Sequence, residues 1–145
     1  MDEFNVPLQL INLQGDGFHL LVEVVIYGER FNLVLDTGAS KTALDKDTIE
    51  LLIDDHSVIQ HLPDQHAVGL GTTTMERYMV MIPEFIIGDL LVKEYEVPIF
   101  DLSTIKYAYQ QLNLPAVIGV LGGDILMEYE ALIDYKNLVL KLRKT

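Results

Sequence analysis

Residues Leu33-Val34-Leu35 run without interruption into Asp36-Thr37-Gly38-Ala39-Ser40, a carboxylate at the end of an apolar strand. A carboxylate held on a tight turn at such a strand end suits general acid–base work on a water molecule, because apolar neighbours fix it in place. Two carboxylates about 3 Å apart share one proton, since like charges that close cannot both ionise. One then acts as base while the other donates. Gly38 permits the turn and close backbone approach, and the Thr37 hydroxyl can brace the loop by a local hydrogen bond. Asp-Thr-Gly turns up by accident in roughly 3% of chains of this length at average residue usage, so the tripeptide alone is only suggestive.

A second segment adds to it. Val117-Ile118-Gly119-Val120-Leu121-Gly122-Gly123-Asp124-Ile125-Leu126 is apolar, punctuated by glycines, and leads into a short helix that Asp124 is expected to cap. Together the two motifs, their spacing and the Asp134-Tyr135-Lys136-Asn137 turn resemble the retropepsin-like aspartic peptidases, and the bacterial members most closely. The resemblance spans roughly Phe18 to Leu142. It implies a mainly β, closed-barrel acid protease fold with two or three short helices. It implies Asp36 as the catalytic residue, Thr37 as a brace of a dimer interface, and the Gly38 carbonyl as a holder of substrate backbone. Val120, Leu121 and Gly122 become the element that crosses beside the Asp loop. A flap closing over bound peptide falls on Gly69, Leu70, Gly71, Thr72 and Thr73. Retroviral proteases commonly pair an Arg after the helix-leading glycine with an Asp two residues after the catalytic glycine; here those positions are Gly123 and Ser40, so that ion pair cannot form.

The 145 residues make one domain, spanning 1–145, long enough for a core yet too short for two Asp loops. Since the loop occurs once, a two-carboxylate site needs a second copy of the chain, and a homodimer is expected. The expected activity is endopeptidase action on peptide or protein substrates, without metal or other cofactor. The alternative is a catalytically weak or inactive peptide-binding or assembly module on the same fold.

Half the residues are apolar and cysteine is absent, which excludes disulfides and a thiolate nucleophile. A net charge of minus 12 disfavours nucleic acid and anionic membranes as partners. The start shows no basic segment followed by an apolar one, and no apolar run approaches the roughly 20 residues of a membrane span. A cytoplasmic location is expected, an upstream segment being left open. His56, His61 and His66 are spaced five apart, far around a helix from one another, so no metal site is expected there. The glycines around Val120 lack the Lys-Ser/Thr of a phosphate loop. Ser40 has no histidine base nearby in sequence and reads as a loop hydrogen-bonder.

The elements needed to position the Asp loop follow from pattern. Val6–Leu13, Phe18–Tyr27 and Phe31–Leu35 read as strands, with Gly28-Glu29 as a turn. Asp47-Thr48-Ile49-Glu50 reads as a capping box with Asp47 as the cap. Strands are expected from Met75 to Ile82 and from Glu96 to Phe100, with a separate hairpin over Phe85–Val92. Ser103–Leu112 carries helical periodicity and stops before Pro115.

Overall fold

The computed structural model describes residues 2–62 and 77–145. Among the described residues the chain forms ten strands, three α-helices and one 3₁₀ turn at His56–Val58. The strands are β1 (Asp2–Asn12), β2 (Phe18–Ile26), β3 (Glu29–Leu35), β4 (Ala43–Asp45), β5 (Gln60–Leu62), β6 (Arg77–Ile87), β7 (Leu90–Phe100), β8 (Gly119–Leu121), β9 (Leu132–Asp134) and β10 (Val139–Lys144). The helices are α1 (Lys46–Leu52), α2 (Ser103–Gln111) and α3 (Gly123–Glu128).

The hydrogen-bonded order β2-β3-β8-β4-β7-β6 returns to β2, because Val24, Val25 and Ile26 pair with Ile87, Ile86 and Phe85. Six strands therefore close a barrel, leaving no free edge within it. Its interior holds Val22, Leu33, Leu35, Leu44, Ile82, Phe85, Ile99 and Leu121, all buried. Strand β1 bridges outward: Leu8–Asn12 pairs with β2, while Asp2–Pro7 pairs with β10, which carries β9 at its far edge.

The unbroken Leu33-Val34-Leu35 run has a physical reason. Leu33 and Leu35 belong to the barrel cluster, whereas Val34 packs in a second cluster with Ile11, Leu21, Val117 and Tyr109 of α2. A strand buried on both faces needs apolar residues at every position, not at alternate ones. Helix α2 thus dries the back of the strand that delivers Asp36.

Several local expectations are corrected. The turn after β2 is Tyr27-Gly28, with φ of 50° and 78°, instead of Gly28-Glu29. Two left-handed residues match the two-residue hairpins that follow strand twist. The separate strands and hairpin anticipated between Met75 and Phe100 are two long strands, β6 and β7, joined at Gly88-Asp89. Pro83 does not break β6: it is exposed, and its missing N–H falls opposite Glu94, which takes a φ of 51°. Helix α1 is capped by Asp45, not Asp47.

Asp45 does more than cap. Its carboxylate is fully buried and accepts from Thr48 N (3.1 Å), Thr48 Oγ1 (2.7 Å), Leu102 N (3.0 Å) and Lys106 Nζ (2.7 Å). It therefore ties the start of α1 to the start of α2. Burial pushes its carboxyl up, but the bonds from Lys106, Thr48 and Leu102 outweigh that and hold it below the ordinary value. A carboxylate with a depressed folded value stabilises the fold above the ordinary carboxylate range and loses that contribution as pH falls through the folded value. Asp45→Asn is expected to cost about 2–4 kcal/mol at pH 7, the penalty of leaving Lys106 and two backbone donors poorly met. In urea melts the gap to wild type should narrow as pH falls below the ordinary carboxylate range; a gap constant from pH 7 to 2 would contradict an ionised Asp45.

Candidate active site

Asp36 follows β3 directly, and its N–H continues the ladder by donating to Leu121 O of β8 (3.0 Å). The pairing beneath it is parallel, Val34 with Val120 and Leu35 with Leu121. The chain then turns: Ala39 N donates to Asp36 O (3.2 Å), and Gly38 N donates to the Asp36 carboxylate at Oδ1 (2.9 Å). A Cβ on Gly38 would sit 3.3 Å from that same Oδ1, which crowds the turn. Asp36 is half-buried, Thr37, Gly38 and Ser40 are exposed, and Ala39 is intermediate. Asp36 Oδ2 has no partner among the described residues.

The second motif holds this turn from behind. Gly123 N donates to Ala39 O (2.7 Å), and Gly122 N donates to Thr42 Oγ1 (3.1 Å). A Cβ on Gly122 would lie 2.6 Å from the carbonyl carbon and oxygen of Lys41 and 2.9 Å from Ala39 O. Only a glycine allows the loop to pass this close. The structure thus brings Asp36, Thr37, Gly38, Ala39 and Ser40 together with Val120, Leu121 and Gly122. Gly69, Leu70, Gly71, Thr72 and Thr73 lie outside the described residues. On either side of residues 63–76, β5 and β6 pair antiparallel, Leu62 with Arg77.

Asp124 is not the helix cap. That position is Gly122, which offers no side chain, and Asp124 sits in the first turn of α3. Its Oδ1 accepts from Thr42 N (2.9 Å), Thr42 Oγ1 (2.8 Å) and Ile125 N (2.8 Å), and its Oδ2 accepts from the Tyr95 hydroxyl of β7. Burial first, and then the Asp124 carboxylate, push the Tyr95 phenol well above its ordinary value. Thr42, fully buried, and Tyr95 were not foreseen as part of this assembly. A threonine in a Ser-Lys-Thr stretch carries no periodic signal, and Tyr95 lies 29 residues from its partner.

His56 bonds Glu50 O and His61 packs on the Tyr78 ring; among the described residues no cluster of His, Asp and Glu could hold a metal. No helix of the described residues is long and apolar enough to cross a membrane.

A six-stranded closed barrel with an Asp turn hung on a glycine-bearing crossing strand defines the retropepsin-like class. The sequence profile of the family described as "Aspartyl protease" matches residues 22–125, so the chain belongs to this retropepsin-like aspartyl protease family. Its fold is similar to that of a retropepsin-like aspartic protease from Rickettsia conorii, with a TM-score of 0.58, 19% identity, and coverage of 97% of this chain and 88% of that one. It is also similar to the retroviral protease-like domain of Ddi1 from Leishmania major, with a TM-score of 0.55, 16% identity, and coverage of 88% and 90%. No curated protein sequence matches the chain.

Proposed function

We propose that this chain is an aspartic endopeptidase that works as a homodimer, with two Asp36 carboxylates around one water. The observation that carries the reading is the Asp36 turn itself. It is fixed by the Asp36 N–H donating to Leu121 O and by bonds from Gly123 N and its own Gly38 N, yet it stands half-exposed with Oδ2 unpartnered among the described residues. A fold that positions one carboxylate this closely at its surface is half of a two-carboxylate site, and a second copy related by a twofold axis supplies the other half.

In the proposed reaction one Asp36 carboxylate takes a proton from the water as it attacks the peptide carbonyl, while its protonated partner donates to the carbonyl oxygen. The proton then passes to the leaving amine. Thr37 braces the interface between copies, and Ala39 and Ser40 complete the loop. The Gly38 carbonyl accepts from an extended substrate, which gains backbone bonds much as an added strand does. Gly69 to Thr73, between paired β5 and β6, is the flap region. Gly122, with Val120 and Leu121, fixes the loop. No metal or organic cofactor takes part, and a reducing cytoplasm suits a chain without cysteine.

Because one of the paired carboxylic acids must stay protonated, the pH optimum is expected to be acidic. The test is digestion of a peptide library by the purified chain from pH 4 to 9, with molar mass measured by light scattering at the same concentrations. Cleavage by a dimer, strongest below pH 7, is the expected result. Rates rising steadily to pH 9 would contradict the shared proton. A strict monomer, or a dimer that binds peptide without cutting it, would favour the binding-module reading that the absent ion pair at Gly123 and Ser40 suggests.

A further inference from the structure

Asp124 lies behind the Asp36 turn, not in it, and its hydrogen bonding exceeds what a first-turn helix residue requires. An acid at a helix start is favoured by the helix dipole alone. That does not explain why Oδ1 takes both donors of the fully buried Thr42, 82 residues away, or why Oδ2 takes the Tyr95 hydroxyl from β7. The connection onward is short. Thr42 Oγ1 gives its proton to Asp124 and accepts from Gly122 N, and the next amide, Gly123 N, holds Ala39 O within the Asp36 turn. With its proton committed to Asp124, the Thr42 hydroxyl presents a lone pair to Gly122.

We propose that Asp124 is a positioning residue for Asp36: it orients Thr42 so that the β8–α3 junction grips the catalytic turn, and through Tyr95 it anchors that grip to the β6–β7 hairpin. This deepens, and rests on, the endopeptidase reading. The carboxylate suits the task because it is acceptor-only, and all four groups bonded to it can donate. An alanine here leaves the Thr42 hydroxyl free to rotate and its buried N–H without a partner. Small displacements of a catalytic group are costly, on the order of 100-fold for about 1 Å.

The experiment compares wild type with Asp124→Ala, Asp124→Asn and Tyr95→Phe. Its readouts are kcat and KM on a cleaved library peptide and, independently of cleavage, hydrogen exchange of the Gly122 and Gly123 amides. Asp124→Ala is expected to lower kcat roughly 30- to 100-fold with KM within about threefold, and to speed exchange at Gly122 at least about tenfold. Asp124→Asn keeps an oxygen for both Thr42 donors and is expected to restore kcat to within about fivefold of wild type. Tyr95→Phe, which leaves the Thr42 bonds in place, is expected to lose roughly three- to tenfold in kcat.

An Asp124→Ala protein with wild-type kcat and unchanged Gly122 exchange overturns the proposal. So does an Asn variant as impaired as the Ala one. Should Asp124→Ala fail to fold, Thr42→Val removes the same hydroxyl link at nearly constant volume. The same loss of kcat and the same faster Gly122 exchange are then expected, and wild-type values there overturn the proposal. A wild-type chain that cuts no peptide while Gly122 exchange responds as stated sinks the peptidase reading and supports Asp124's hold on the turn.

Discussion

Asp36→Asn is expected to lower kcat for peptide hydrolysis by at least about 10³- to 10⁴-fold while leaving the melting temperature near that of wild type. The two halves of that expectation have separate origins. An amide cannot take or hold the proton that the pair must share, so the base is lost outright. The turn is kept by backbone bonds, Asp36 N to Leu121 O and Ala39 N to Asp36 O, and the one side-chain bond, from Gly38 N to Oδ1, has an equivalent acceptor in asparagine. Initial rates and thermal melts measured on the same preparation separate the two. Mixing gives a stricter check. If two chains share one site and exchange freely, equal amounts of wild type and Asp36→Asn leave about a quarter of the dimers wild type, so activity per wild-type chain falls by about half. Activity that stays proportional to the wild-type chain alone would mean that each copy works by itself, and the two-Asp36 site would be abandoned.

The Asp36 turn is legible in sequence because each of its requirements is local. An apolar run, a carboxylate and a glycine are consecutive, and the strand buried on both faces announces itself by having no polar alternation. The glycines of the second motif are legible for a related reason, since a close crossing admits no side chain at that point. What the sequence hides is long-range and polar. Asp45, Thr42 and Tyr95 lie in segments with ordinary composition, and their roles arise only when the barrel closes and brings β4, α2, α3 and β7 together. Asp47 reads as the helix start because Glu50 completes a capping box with it. The real cap is Asp45, which bonds Thr48 three residues on and also accepts from Leu102 N and Lys106 Nζ at the start of α2, partners that no local pattern shows. Asp124 reads as a cap on equally local grounds, but beyond Ile125 N its partners are 29 and 82 residues distant. The continuity of β6 and β7 is likewise not local: Pro83 is accommodated inside β6 because its missing donor falls where Glu94 turns left-handed.

Gly119→Ala is expected to be the most damaging single-methyl change outside the Asp turn, costing about 3 kcal/mol or more. A Cβ there would lie 2.1 Å from Ala43 O, 3.0 Å from Leu44 Cα and 3.1 Å from the Ala43 carbonyl carbon. All three are backbone atoms of β4, so no side-chain rotation relieves the overlap. Nor can β4 step aside easily. It pairs with β8 on one side through Leu44 and Gly119, with β7 on the other through Leu44 and Ile99, and Asp45 N donates to Ile118 O at 2.7 Å. Moving it opens the barrel at its shortest strands. For a chain of this size that loss corresponds to a fall in melting temperature of roughly 10 °C. Gly28→Ala is the informative control. Its φ of +78° strains any side chain, but nothing lies within 4 Å of the added methyl, so the cost should stop at about 1–2 kcal/mol. Thermal melts of the two variants distinguish steric crossing from backbone strain. Because Gly119 begins the same three-residue strand that hands its last carbonyl, Leu121 O, to Asp36 N, the Gly119 variant should also lose activity faster than stability under mild conditions. Wild-type melting with intact cleavage would mean that β4 can leave β8 without disturbing Asp36, and the close crossing would then not be what positions the carboxylate.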